Sequence, residues 1–248
     1  MATVSQGAAS RGSHAFAGRN GLLDRYFYFA MALLFAVIVV WGFSQTVNAN
    51  LFHAAPARPV LLWMHGAAFS GWVAFYILQS ALVRTRNVAV HRLLGWFGAA
   101  LAGAMVALGF TVAVIMNHFD KYVLHMAGTE PFLSVPFGDM LMFGTLVGLA
   151  IAWRRKPELH RRLLFLATCG LLDAAFGRFA FIDRYHVYHV FVDAVVLLGV
   201  LRDLLVDRRV HKVYRVAVPL MMVMQAGMMY LYLGAPAWWV SLTRAIVG

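Results

Sequence analysis

Three residues able to bind a metal or move a proton, His186, His189 and Asp193, stand at i, i+3 and i+7. On a helix they would all face one way. Asp173 and Arg178 lie just upstream, and the whole stretch, residues 173–193, reads DAAFGRFAFIDRYHVYHVFVD. Imidazoles and carboxylates together can ligate a divalent transition metal, or pass protons once partly desolvated. A third imidazole, His65, falls at comparable depth in another apolar run. The metal ligands expected from this pattern are His65, His186 and His189, with Asp173 and Asp193 as catalytic proton acceptors or ligand-orienting groups. The competing structural reading pairs Asp173 or Asp193 with Arg178 to fix helix packing. H-x2-H-x3-D is no recognised zinc motif, and HExxH is absent.

The elements that must position these groups are apolar. The 248 residues are 62% hydrophobic and only 12% charged, against about 25% charged in ordinary soluble domains. Runs long enough to cross roughly 30 Å of hydrocarbon recur along the chain. The expected fold is therefore all-α: a polytopic transmembrane bundle of about seven spans. These read as residues 26–41, 60–82, 93–116, 140–153, 163–176, 187–204 and 213–233. The fourth and fifth are short and must borrow flanking residues to cross. Residues 1–25 read as a flexible basic lead, and 26–248 as one transmembrane domain. The first run follows a long leader and exceeds a usual signal h-region, so an uncleaved span is expected, with VNA before Asn50 as a weak cleavage-like alternative.

Basic residues set the orientation. One side collects Arg11, Arg19, Arg25, Arg84, Arg86, Arg92, Arg154, Arg155, Lys156, Arg161, Arg162, Arg202, Arg208, Arg209, Lys212 and Arg215. The other has only Arg58, Lys121, Arg178, Arg184 and Arg244. The positive-inside rule makes the first side cytoplasmic, with the N-terminus inside and the C-terminus outside. The net charge of +11 is then a topology signal, and nucleic acid is not an expected partner. Trp41 and Trp63 at one boundary, and Trp96 and Trp153 at the other, form the matching aromatic belt. The expected setting is a bacterial inner membrane, with the His/Asp site near the outer face, where Asp139 sits at the rim.

Other patterns have weaker chemistry. His91, His160 and His211 each open a helix beside a basic residue, in VAVHRLLG, PELHRRLL and RRVHKVYR. Such histidines are ordinary interfacial residues, but His91 and His160 share a side and could ligate haem b between the third and fifth spans. His65, Phe69, Trp72, Tyr76 and Gln79 form a stripe that suits a helix seam, or a quinone or lipid pocket. Met221, Met224 and Met228 share a face, where adaptable packing is commoner than copper binding. The single cysteine, Cys169, excludes disulfides, Fe–S clusters and thiolate zinc sites by count.

The segments WMHGAAFSGWVAFYILQSALVRTRNVAVHRLLGWFG and KPELHRRLLFLATCGLLDAAFGR resemble a poorly characterised group of bacterial multi-pass membrane proteins of unknown function. The likeness spans most of residues 61–178, with His65, His91, Asp139, His160, Asp173 and Arg178 on its motif positions. It implies a multi-helix inner-membrane protein. A looser likeness runs to the transmembrane cytochromes b that pass electrons to ascorbate radical or ferric iron. His65 and His91 look similar to their second- and third-helix ligands, and His160 to a fifth-helix one. The fourth span has Asp139 and no histidine, so a two-haem set would need His189.

The functional expectation is an intramembrane His/Asp site binding a metal or haem for redox or proton-coupled chemistry. The alternatives are a metal-dependent membrane hydrolase using the same residues, and a non-enzymatic accessory or assembly subunit or small transporter. Lipid and possible membrane partner subunits are the expected neighbours.

Overall fold

The computed structural model describes the backbone of residues 7–248 and the side chains of residues 21–248, and its regular elements are all helical. Ten α-helices follow in order: α1 (Gly7–Ser44), α2 (Val60–Arg84), α3 (Val88–Tyr122), α4 (Ser134–Ala152), α5 (Pro157–Gly170), α6 (Asp173–Phe176), α7 (Ala180–Arg184), α8 (Tyr188–Val206), α9 (Lys212–Gly234) and α10 (Ala237–Val247). A π-helical turn, Asn48–Phe52, follows α1, and a 3-10 turn, Glu130–Leu133, leads into α4. The first six residues of the expected lead, and the side chains of Arg11 and Arg19, lie outside the described residues.

Helix starts follow local chemistry. Pro157 and Glu158 open α5, where proline lacks only an N–H that would be orphaned anyway and a carboxylate meets the positive helix end. His211 caps α9 by accepting from the Val213 N–H at 3.2 Å.

Among the described residues, five helical segments are long and apolar enough to cross a membrane: Gly21–Ser44 of α1, α2, α3, Glu130–Ala152 and α9. The other two expected spans differ. The segment expected at residues 163–176 is not one helix, because α5 stops at Gly170 after 14 residues, about 21 Å, and α6 begins after a turn. The 19 residues of α8 are interrupted by Asp193, Arg202 and Asp203.

The bundle is organised around α4, half of whose apolar length is buried. It packs against α3, α5 and α9, and Phe143, Leu146 and Val147 join Phe165, Leu166 and Ala167 of α5 in the main core. The stripe on α2 is a seam: Trp72 donates to Thr168 Oγ1 at 3.3 Å and sits edge-on to Phe143, while Tyr76 meets Phe35. Interior placement of Asp139 follows directly from the position of α4.

An ion-pair clamp fastens the opposite end of α8. Arg162 grips Asp203 with two bonds, Nε to Oδ2 at 2.9 Å and Nη2 to Oδ1 at 2.7 Å. It also donates to Glu158 Oε2 at 2.5 Å and Asp207 Oδ2 at 2.8 Å. Arg202 donates to Asp203 and Asp207 at 2.7 Å each and reaches Asp24 of α1. The side chain of Asp203 is fully buried and those of both arginines nearly so, so each charge needs these partners. Burial pushes the Glu158 carboxyl up, but the Arg162 hydrogen bond and the Arg161 and Arg162 charges outweigh it and hold it below the usual range. Burial, with the Arg162 charge, holds the His211 imidazole below its usual value. Arg162 and Arg202 therefore lock α1, α5 and α8 together.

Candidate metal centre

Asp139 of α4, Asp173 of α6 and His189 of α8 converge, each offering a ligand atom, and these atoms all lie within 4.8 Å of one another. All three residues are buried, at 7%, 5% and 7% exposure. Two ligands on opposite sides of a first-row ion stand about 4.2 Å apart, given metal–ligand bonds of about 2.0–2.1 Å. The cluster is close to that size.

Three separate segments deliver these groups. Asp139 lies in the second turn of α4, on the helix the others surround. Asp173 is the first residue of α6, and its Oδ1 accepts the Ala174 N–H at 2.6 Å. The short α6 lies hard against α1, because Gly42 lets the two backbones approach. A Cβ on Gly42 would come within 2.9 Å of the Ala175 carbonyl carbon and closer still to its oxygen. His189 is the second residue of α8, just past the turn in which His186 holds φ 52°.

That turn corrects the helical spacing expected for the histidines. His186 precedes α8 in a left-handed conformation, so it does not share a helical face with His189 and Asp193. Its ring sits edge-on to Tyr232 at 5.4 Å. His189 and Asp193 keep their i, i+4 relation on α8. His65 is not among the converging groups either; it stacks on Phe69 at 4.0 Å, with Nδ1 buried and unpartnered among the described residues. Of the three expected metal ligands, His189 alone is in the cluster, and two carboxylates complete it. Asp173, expected as a proton acceptor, supplies one; Asp139, expected only at the rim, supplies the other.

Polar satisfaction is the sharpest feature of the centre. Both ring nitrogens of His189, Asp139 Oδ1 and the nearby α8 residue Asp193 Oδ1 are buried without a hydrogen-bond partner among the described residues. Leaving such groups unpaired costs about 1–3 kcal/mol each, and more for charged ones. The structural alternative of pairing with Arg178 does not account for them. No ion pair joins Arg178 to Asp173 or Asp193 among the described residues, and the guanidinium lies 5.1 Å over the Phe43 ring. Two carboxylates and one imidazole supply two negative charges and a borderline nitrogen, which suits a divalent ion such as zinc, manganese or ferrous iron.

The histidines expected at the other end do meet: the His91 and His160 rings stand 6.3 Å apart, nearly perpendicular. His160 Nδ1 is bonded to the Ala150 carbonyl at 2.9 Å, and His91 Nδ1 has no partner among the described residues. The clamp acids Asp24, Glu158, Asp203 and Asp207 escaped sequence reasoning, although the i, i+4 spacing of Glu158 and Arg162 was a visible signal.

No protein-family model matches this chain, and neither a curated protein nor a solved structure matches it.

Proposed function

We propose that this membrane protein binds one divalent transition-metal ion at Asp139, Asp173 and His189 and uses the centre for redox or proton-coupled chemistry. The observation behind this reading is His189, an imidazole buried with both nitrogens unpartnered next to two buried carboxylates. A dication would neutralise the carboxylates and take one ring nitrogen, removing the main electrostatic cost of burying them. Asp193, one turn along α8 from His189, is placed to orient that ring or to exchange a proton with it. The proposal includes seven crossings with α5–α6 and α8 as the two short ones, the N-terminus in the cytoplasm, and the metal near the outer face of a bacterial inner membrane. The one-sided basic residues support that orientation.

Metal analysis of the purified full chain tests the reading. Near-stoichiometric metal in the wild type, lost in His189→Ala and in Asp139→Asn, is the expected result. Equal metal content in all three, with folding intact, overturns it.

A second reading concerns haem b, favoured only by His91 and His160. One iron between two imidazoles would set their rings about 6 Å apart with metal–nitrogen bonds of about 2.0 Å, and the observed separation is 6.3 Å. A Soret band lost in His160→Ala would establish it, and a haem-replete preparation without that band would remove it.

A further inference from the structure

We propose that a groove between the ends of α1 and α2 is a binding site for the phosphate headgroup of an anionic phospholipid. This rests on the membrane-spanning reading of the helices and is independent of the metal centre. The groove encloses about 660 Å3, and Arg25, Arg84 and Arg86 surround it, with Tyr26 and Phe29 in its wall. Arg84 sits over Tyr26, its guanidinium carbon 3.9 Å from the ring centre, and Arg25 approaches the same ring at 5.8 Å. A guanidinium held over an aromatic face keeps N–H donors available for a phosphate.

No acidic residue lines the groove among the described residues. None of the three arginines forms an ion pair among the described residues. The first 23 residues contain no Asp or Glu, and the first acid, Asp24, is engaged by Arg161 and Arg202. Arg84 Nε is buried without a partner among the described residues. Arg86 holds φ 65°, a conformation that disfavours non-glycine residues.

The depth and the wall favour a lipid over a free anion. Arg84 closes the 25-residue apolar span of α2, so the groove falls at headgroup level. Below it, Leu33 and Val37 follow Phe29 at i+4 and i+8 on α1, both exposed, and form an apolar track for an acyl chain. Basic pockets between transmembrane helices are a known way of holding anionic headgroups.

Native mass spectrometry of the full chain in detergent, with phosphatidylglycerol or phosphatidylcholine added, tests this. Phosphatidylglycerol should be retained in preference, and Arg84→Gln with Arg86→Gln should weaken it by about fivefold per arginine. Arg25→Gln alone should weaken it by one such step, which keeps the test open if the double variant misfolds. The double variant Arg208→Gln and Arg209→Gln, which removes equal charge from the α8–α9 connection, should have no effect. Equal retention of both lipids, an equal loss in the Arg208/Arg209 variant, or displacement by millimolar inorganic phosphate would each overturn the proposal.

Discussion

Gly42→Ala asks whether the proposed metal centre depends on how closely α6 lies against α1. The new methyl would sit 2.9 Å from the Ala175 carbonyl carbon and 3.0 Å from its Cα. Carbon atoms rest about 3.5–4.0 Å apart, so the helices must separate by roughly 0.5–1 Å. The obstacle is backbone, which cannot rotate away, and Asp173 is only two residues from it. Overpacking of this kind costs about 1–3 kcal/mol, which lowers Tm by about 2–4 °C per kcal/mol in a chain of this size. The expected result is a lower melting temperature in detergent together with reduced metal content. Gly138→Ala provides the contrast. It adjoins Asp139, but its Cβ would meet the buried Met228 side chain and not backbone, so any loss should come from repacking that side chain and leave the α1–α6 contact in place. Gly71→Ala, with nothing within 4 Å, should be neutral or mildly stabilising, since alanine is the better helix former. If Gly42→Ala matches Gly71→Ala in both Tm and metal content, the coupling between the α1–α6 contact and the cluster is wrong.

Other expectations follow from single contacts. His65→Ala and His186→Ala should leave metal content unchanged, because neither ring belongs to the converging group; loss of metal in either would restore it as a ligand. Asp203→Asn leaves two buried guanidiniums short of a counter-charge and should destabilise by about 3–5 kcal/mol, read as a large fall in Tm. Glu158 has a depressed folded-state pKa, so its contribution is present above the usual glutamate range and disappears as pH falls through the folded value. Acid titrations of wild type and Glu158→Gln should therefore converge at low pH, and curves that stay parallel would show that this carboxylate has no such role.

The helical, membrane-like character of the bundle was legible because hydrocarbon imposes a simple code of long apolar runs. What the code could not show was the break in the fifth segment. Gly170, Leu171 and Leu172 are as apolar as a continuing helix would be, so hydropathy alone does not mark the turn between α5 and α6. The same limit hid the converging group of Asp139, Asp173 and His189. His186 matched a helical period that its left-handed backbone forbids, while Asp139 looked peripheral because its run was read as starting at residue 140. The helix in fact starts at Ser134, which carries Asp139 inward. The clamp was obscured by charge counting, in which Arg162 and Arg202 look like any other basic residues until their burial is seen.

X-ray absorption at the edge of the bound metal tests the proposed centre most directly. A site made by Asp139, Asp173 and His189 gives a nitrogen/oxygen shell at about 2.0–2.1 Å, the outer-shell signature of one imidazole, and no sulfur near 2.3 Å. A spectrum showing two or more imidazoles, a sulfur ligand, or no metal above background in folded protein would contradict it.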